Sequence, residues 1–357
     1  MLSFHPLTLR QRTPIADDAV CLQFDAPPGL AAAYRFEAGQ HLAVRALVDG
    51  RELRRTYSIV SPAGGSLRIG VRVQGAMSRY LAEALPIGGV LESLEPTGRF
   101  KPTLEPSRAK SYVALAAGSG ITPVLSIVGT LLETEPASRV LLVYGNRDIG
   151  RAMFLEDILA LKDRYLTRLR VQFIMSREPQ ELAFFNGRLD AARLAALART
   201  EFDPRAVDEY FICGPGSMVR ELADALRALG ASGRIHFERF AVEGREPPAP
   251  AGAAREDSAS RAAPDVTMVT VVMDGRRRSF RMARAQTVLE AGEAAGLALP
   301  YSCRAGVCST CRAHVLDGQA TMDRNQALED WEVKAGYVLC CQARPAGARL
   351  ELSYDDK

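Results

Sequence analysis

Five of the seven cysteines in this 357-residue chain lie between positions 303 and 341, and that crowding limits the fold more than any other feature. Cys303, Cys308 and Cys311 follow a C-x4-C-x2-C pattern in the text PYSCRAGVCSTC. Cys341 follows after 29 intervening residues, beside Cys340, in GYVLCCQARP. Seven is an odd number for a disulfide framework. No apolar run approaches the ~20 residues that cross a bilayer, and the first twenty residues carry Asp17 and Asp18 where a leader would need an apolar stretch. The expectation is therefore a cytoplasmic protein without a membrane span, whose thiols stay reduced and serve a metal or catalysis. A short loop with small residues at Ala305, Gly306 and Ser309 can turn three sulfurs inward and aim its amides at them, as a soft polynuclear cluster requires. A structural zinc site is the competing reading, although zinc sites usually pair two short knuckles. Spacing alone leaves Cys340 and Cys341 as alternative fourth ligands.

A chain of this length exceeds one ordinary domain, and its patterning changes twice. Residues 1–105 hold short β-rich runs at 41–48, 56–61 and 67–73, punctuated by Asp49-Gly50 and Gly64-Gly65, the pattern of an antiparallel barrel or sandwich. One helix is expected there over 78–85, capped by Ser78 and stopped by Pro86. Residues 106–240 alternate apolar strands (112–117, 140–145, 169–175, 210–214, 234–238) with helical stretches, which predicts a doubly wound parallel α/β sheet. Residues 241–265 are dominated by Ala, Pro, Gly, Ser and charge and read as a flexible linker. Residues 266–357 open with a hairpin around Asp274-Gly275, continue into a helix from Thr287, then the cysteine loop and a late strand, making a small mixed α/β domain. Forty-five basic against forty-two acidic residues, with no basic block longer than Arg276–Arg278, gives nucleic-acid binding no electrostatic support.

Two further constellations carry chemistry. Arg55-Thr56-Tyr57-Ser58 lies on a predicted strand, with Arg55 and Tyr57 on one face, where a guanidinium can hold a pyrophosphate and a phenol ring can pack on a flat cofactor. Gly75-Ala76-Met77-Ser78 offers backbone N–H groups for phosphate oxygens. Gly118-Ser119-Gly120-Ile121-Thr122-Pro123 stands between a strand and a helix, its glycines permitting close approach, with Thr122 a cap and Pro123 in the first turn. It departs from G-x-G-x-x-G, because Pro123 occupies the third glycine position. Cys213-Gly214-Pro215-Gly216 ends the fourth strand of that sheet, where ligands gather. Ser176-Arg177 follows the third strand, and an arginine there can pair with a 2′-phosphate, with Arg147 as a second candidate.

The cysteine loop resembles that of plant-type [2Fe-2S] ferredoxins. R-x-Y-S, G-x-x-S, the glycine loop and CGPGSM resemble the flavin and nicotinamide signatures of the ferredoxin-NADP reductase superfamily. The resemblance runs through the whole chain and implies three modules: an FAD-binding β-barrel, an NADP-binding α/β domain and a C-terminal β-grasp ferredoxin. It implies that Arg55, Gly75 and Ser78 hold the FAD pyrophosphate, with Tyr57 and Ser58 at the isoalloxazine. Gly118, Gly120, Thr122, Pro123 and Gly214 would bind the dinucleotide, with NADPH preferred over NADH through Arg147, Ser176 and Arg177. Cys213 and Phe240 would flank the nicotinamide and flavin, making Ser58, Cys213 and Phe240 the residues nearest hydride transfer. By the family's register the cluster ligands are Cys303, Cys308, Cys311 and Cys341. The implied activity is electron transfer from NADPH through FAD and a [2Fe-2S] cluster to the oxygenase component of a multicomponent di-iron monooxygenase. A ketosteroid hydroxylase or aromatic-ring demethylase reductase, or a flavin and iron–sulfur redox sensor, are the alternatives.

Overall fold

The apolar runs and turn residues condense into three sheets. The computed structural model describes residues 3–240, 266–283 and 285–356; the expected linker at 241–265 lies outside the described residues. Contacts divide the chain into a unit over Phe4–Phe240 and a C-terminal unit whose described part begins at Val266.

In the first unit, β1 (His5–Ala16), β2 (Ala19–Asp25), β3 (His41–Val48), β4 (Arg51–Ser58), β5 (Leu67–Arg72) and β6 (Val90–Ser93) form an antiparallel sheet. Its order is β4-β3-β6-β1-β2-β5, and a bridge from Ile59 to Ile69 joins the two ends into a barrel. Leu7, Leu9, Leu22, Leu42, Val44, Ile69 and Val71 alternate with outward residues and fill the interior. The helix expected over 78–85 starts earlier: α1 is a single turn over Ala76–Arg79, continued by a π-turn over Tyr80–Ala84. Gly75 is its N-cap, and Ser78 lies inside the turn.

Five strands, β7 (Ser111–Ala117), β8 (Arg139–Asn146), β9 (Leu169–Met175), β10 (Glu209–Pro215) and β11 (Arg234–Phe240), form a parallel sheet in the order β11-β10-β7-β8-β9. It is flanked by α2 (Ile121–Thr134), α3 (Leu155–Arg164), α4 (Ala191–Thr200) and α5 (Gly216–Ala228). On α5, Met218, Val219, Leu222, Ala223 and Leu226 are buried, a single helical face turned to the sheet. The chain reverses direction between β7 and β10, which opens a crevice at their carboxyl ends.

The barrel and this sheet pack as one unit along α2. The Gly39 amide donates to Ser126 Oγ at 3.3 Å. A Cβ at Gly129 would lie 2.8 Å from Pro62. The connector from barrel to sheet is pinned by buried charge: Lys110 Nζ donates to the Thr103 carbonyl at 2.9 Å and pairs with Glu209 at 3.3 Å and Glu105 at 2.6 Å. Glu209 also meets His236 Nε2 at 2.8 Å. Burial works against the Glu209 carboxylate, but His236 and Lys110 hold it below the usual glutamate range. Removing Glu209 alone would leave the buried Lys110 ammonium with Glu105 as its remaining carboxylate and would take the acidic partner from His236.

The C-terminal unit holds β12 (Val266–Met273), β13 (Arg276–Ala283), β14 (Arg312–Met322), β15 (Tyr337–Leu339) and β16 (Ala343–Ser353) in the order β13-β12-β16-β14-β15. Only β12 and β16 pair in parallel. The helix α6 (Val288–Ala294) crosses the sheet, and α7 (Asp330–Lys334) precedes β15. A capping box starts α6: Thr287 Oγ accepts from the Glu290 amide, and Glu290 accepts from the Thr287 amide at 2.8 Å. No described helix is long and apolar enough to cross a membrane.

Candidate functional site

The cysteine loop joins α6 to β14 and takes a conformation that L-residues avoid. Arg304 (φ 52°), Gly306 (φ 75°) and Ser309 (φ 50°) all lie in the left-handed region. Two of these three are not glycine, so the loop stores strain that surrounding contacts must hold. A Cβ at Gly306 would meet the Arg324 carbonyl oxygen at 2.9 Å. Gln342 Nε2 donates to the Arg304 carbonyl at 2.9 Å, and the Gln326 amide donates to the Gly306 carbonyl at 3.0 Å.

This scaffold brings Cys303, Cys308, Cys311 and Cys341 together. Cys303 lies within hydrogen-bonding reach of Cys308 and Cys341, and Cys341 of Cys311. The Ala305 amide donates to Cys303 Sγ at 3.3 Å, and the Cys341 amide to Cys311 Sγ at 3.5 Å. Bonds from Cys308 and Cys341 bring the Cys303 thiol down to about 2, while the same contacts push Cys308 and Cys341 up. Among the described residues no three His, Cys, Asp or Glu side chains close around a single ion. A binuclear centre does not need that geometry, because it takes two sulfurs at each iron. The donor set fits a [2Fe-2S] cluster.

Cys340 points the other way. It is fully buried, its thiol beside Tyr354, in the core that includes Leu339 and Ala343. Its amide donates to the Cys311 carbonyl at 2.9 Å, and its carbonyl accepts from Leu289 at 3.0 Å. The turn from Leu339 to Gln342, closed by a 2.8 Å bond, sends the adjacent Cys341 to the other thiols.

In the first unit, the crevice between β7 and β10 is lined by the glycine loop. Gly118–Gly120 form a 3-10 turn that runs into α2. A Cβ at Gly120 would sit 2.2 Å from the Cys213 carbonyl oxygen, and one at Gly214 would sit 2.7 Å from Met218 Cε and 3.2 Å from Ala117 Cβ. Their missing side chains let the glycine loop and the end of β10 lie directly against each other, whereas a Cβ at Gly118 would meet nothing within 4 Å, so open space for a dinucleotide is on that side of the loop. Thr122 does not cap the helix; it is the second residue of α2, and its hydroxyl donates to the Ser119 carbonyl at 2.8 Å, closing the turn. Pro123 follows in the first turn, where its missing N–H costs nothing. Cys213 is fully buried, and burial, with Glu238 nearby, pushes its thiol well up. It is a neutral side chain, not a nucleophile.

At the ends of β8 and β9 the three residues expected to meet a 2′-phosphate lie on segments joined through the backbone. The Ser176 amide donates to the Asn146 carbonyl at 2.9 Å, and the Arg177 amide to the Arg147 carbonyl at 2.7 Å. Arg147, Ser176 and Arg177 are all exposed there.

Along β4, Arg55 and Tyr57 pair with Val44 and Leu42 of β3. Tyr57 packs against the barrel core, whereas Ser58, next along the strand and so on the opposite face, is buried toward the parallel sheet. Tyr57 and Ser58 thus present opposite faces of β4. The α1 turn packs on β3 and β4, beside the strand that carries Arg55. The Ser78 hydroxyl faces its own turn: it accepts from the Gln74 and Gly75 amides at 2.9 Å each and donates to the Gly75 carbonyl at 3.0 Å. It shapes the turn instead of capping a helix.

The partners of Ser58 include two residues that sequence reasoning missed. Ser58 Oγ donates to Glu238 Oε2 at 3.5 Å, and His41 Nδ1 lies 3.7 Å from Glu238 Oε1. Glu238 is paired in register with Cys213, and Phe240 with Pro215. Ser58, His41, Glu238 and Cys213 therefore meet where the barrel abuts the sheet. His41 is 3% exposed, and its Nε2 has no hydrogen-bond partner among the described residues. An orphaned buried nitrogen here fits a site that a polar cofactor edge completes. The signal available in the sequence was the acidic residue inside HFERF, two positions before Phe240.

Three family models match in chain order: an oxidoreductase FAD-binding domain over 6–101, an oxidoreductase NAD-binding domain over 114–224, and a 2Fe-2S iron-sulfur cluster binding domain over 271–346. The chain belongs to the family of oxygenase reductases that join these three domains, and it is an NAD(P)H-dependent oxidoreductase that carries FAD and a [2Fe-2S] cluster. It is 40% identical over 362 residues to a subunit of the 1,2-phenylacetyl-CoA epoxidase of Escherichia coli (strain K12), covering 100% of this chain and 99% of that protein. It is 33% identical to the ferredoxin reductase component of 3-ketosteroid-9-alpha-monooxygenase of Rhodococcus rhodochrous, covering 94% of this chain and 93% of that protein. Among solved structures, phthalate dioxygenase reductase shares the fold, with a TM-score of 0.59 at 24% identity over 98% of both chains.

Proposed function

We propose that this protein is the cytoplasmic reductase component of a phenylacetyl-CoA epoxidase system in phenylacetate catabolism, supplying electrons from NADPH to a di-iron oxygenase. The observation that carries this is identity at 40% along the entire length of both chains, ferredoxin module included. When bound, FAD supplies the step from hydride to single electrons, and the cluster carries those electrons one at a time.

The side chains take the following parts. Arg55 holds the FAD pyrophosphate with the turn that Gly75 opens and Ser78 shapes, and Tyr57 packs along the ring system. Ser58 sits at the reacting edge, with its proton shared toward Glu238. Gly118, Gly120, Thr122, Pro123 and Gly214 seat the dinucleotide in the crevice, and Cys213 and Phe240 bound the nicotinamide. Arg147, Ser176 and Arg177 receive the 2′-phosphate. Cys303, Cys308, Cys311 and Cys341 hold the cluster.

Anaerobic titration of the purified protein with NADPH tests the electron path. Flavin bleaching accompanied by loss of the broad iron–sulfur absorption is expected; bleaching with no iron–sulfur signal in a protein lacking iron would refute it. Reconstitution with a phenylacetyl-CoA epoxidase oxygenase, against a ketosteroid monooxygenase oxygenase, tests the partner. Turnover with the ketosteroid enzyme alone would favour the second reading, which the 33% identity supports.

Coenzyme preference has its own test. Two arginines on a phosphate form charge-assisted bonds of roughly 1.5–3 kcal/mol each. The double variant Arg147→Ala/Arg177→Ala should raise KM for NADPH at least tenfold and leave KM for NADH within about twofold. Equal losses with both coenzymes would remove these residues from the 2′-phosphate site.

A further inference from the structure

We propose that Glu209, with Lys110 and His236, is a positioning group that sets how closely the flavin barrel approaches the nicotinamide edge of the parallel sheet. The inference rests on hydride passing between those two modules, the reading given above.

One buried carboxylate gathers the amino-terminal ends of three strands. Glu209 opens β10, Lys110 immediately precedes β7, and His236 is the third residue of β11. The opposite ends of those strands deliver Cys213–Gly214, the Gly118–Gly120 loop and Glu238–Phe240. At ~3.3 Å per residue, Glu209 and Cys213 lie roughly 13 Å apart along one rigid strand. A slide of any strand at the Glu209 end is therefore a slide at the nucleotide end. The three ionic side chains are 5–7% exposed, and Glu105, at 35%, is the other charged group on Lys110.

The same group reaches the barrel. The Thr103 amide donates to Glu209 Oε2 at 3.4 Å, and Lys110 holds the Thr103 carbonyl, so both faces of the connector are tied. Just upstream, Phe100 is wedged against the barrel: a Cβ at Gly39 would lie 1.8 Å from its carbonyl oxygen. Phe100 packs edge-on against Phe211 at 5.7 Å, and Phe211 stacks on His236 at 4.8 Å with planes 7° apart. From Gly39 through Phe100, Phe211 and His236 to Glu209 there is continuous buried contact. Neither the flavin nor the dinucleotide residues lie in this path, so its effect on the reaction is through geometry.

Glu209→Gln, which keeps the shape and an acceptor, and the apolar pair Lys110→Met/Glu209→Leu, which replaces the charges together, form the test. Two readouts apply to each folded variant. In the flavin-free protein, amide hydrogen exchange at residues 103–110, 117–120 and 213–214 is expected to rise at least tenfold. In the FAD-loaded protein, flavin reduction is expected to slow about tenfold, with NADPH dissociation changed less than threefold and a larger primary isotope effect from 4-deuterated NADPH. Exchange at 117–120 and 213–214 within twofold of wild type would overturn the proposal, whatever the coenzyme does. So would unchanged reduction rates and isotope effects in a variant that only melts earlier. Failure of NADPH and NADH to reduce the wild-type flavin would instead overturn the functional reading, and the exchange data would still judge the clamp.

Discussion

Cys341→Ala should lose the iron–sulfur absorption entirely, while Cys340→Ser should retain it. The two residues are neighbours in one turn, but their thiols diverge: Cys341 joins Cys303 and Cys311, and Cys340 lies beside Tyr354 within the core. Removing Cys341 leaves three sulfurs for a centre that needs four. Electron transfer to a one-electron haem-protein acceptor should then fall by at least an order of magnitude, with flavin reduction by NADPH unaffected. Cys340→Ser exchanges a buried thiol for a hydroxyl beside a tyrosine oxygen, and should cost about 1–2 kcal/mol of stability with the cluster in place. Iron content and visible spectra of the two proteins check this; cluster loss in Cys340→Ser with retention in Cys341→Ala would reverse the ligand assignment.

Gly120→Ala should be the most damaging single-methyl change in the crevice. The added carbon would meet the Cys213 carbonyl oxygen at 2.2 Å and its carbonyl carbon at 2.5 Å. Both belong to the backbone of a central strand, so no side chain can rotate away, and overpacking of this kind costs about 1–3 kcal/mol or more. The displacement would fall on the 3-10 turn and the start of α2, where the dinucleotide is proposed to bind. The expected result is at least a tenfold loss in NADPH affinity with a lower melting temperature. Gly118→Ala is a useful contrast. Its Cβ would meet nothing within 4 Å, and the penalty there arises from its φ of +55°, about 1 kcal/mol. Equal NADPH affinity in Gly120→Ala and wild type, measured by fluorescence titration, would show that the loop does not seat the coenzyme.

Much of the candidate site was legible in the sequence because it is local. The spacing of Cys303, Cys308 and Cys311 can only describe a loop, since covalent geometry keeps those sulfurs near one another whatever the rest of the chain does. Hydrophobic period and turn residues likewise revealed β3, the end of β4 and β5 of the barrel, and the five strands of the parallel sheet, as each strand's burial pattern is written along itself; β1, β2 and β6 were not read. The start of helix α1 was misread. Ser78 looks like an N-cap when only the following residues are considered, but its hydroxyl accepts from Gln74 and Gly75, and the helix begins before it.

What the sequence by itself determined, then, were the elements, the cysteine loop and the glycine turns, because each depends on residues a few positions apart. Tertiary structure alone decided which groups meet across modules. The meeting of Ser58 and His41 with Glu238 spans about 180 residues of chain, and the tie from Lys110 through Glu209 to His236 joins three strands at their far ends. No periodicity encodes such encounters. They arise when apolar faces pack and the few buried polar groups must find partners, since an unpaired charge in that interior costs more than any alternative arrangement.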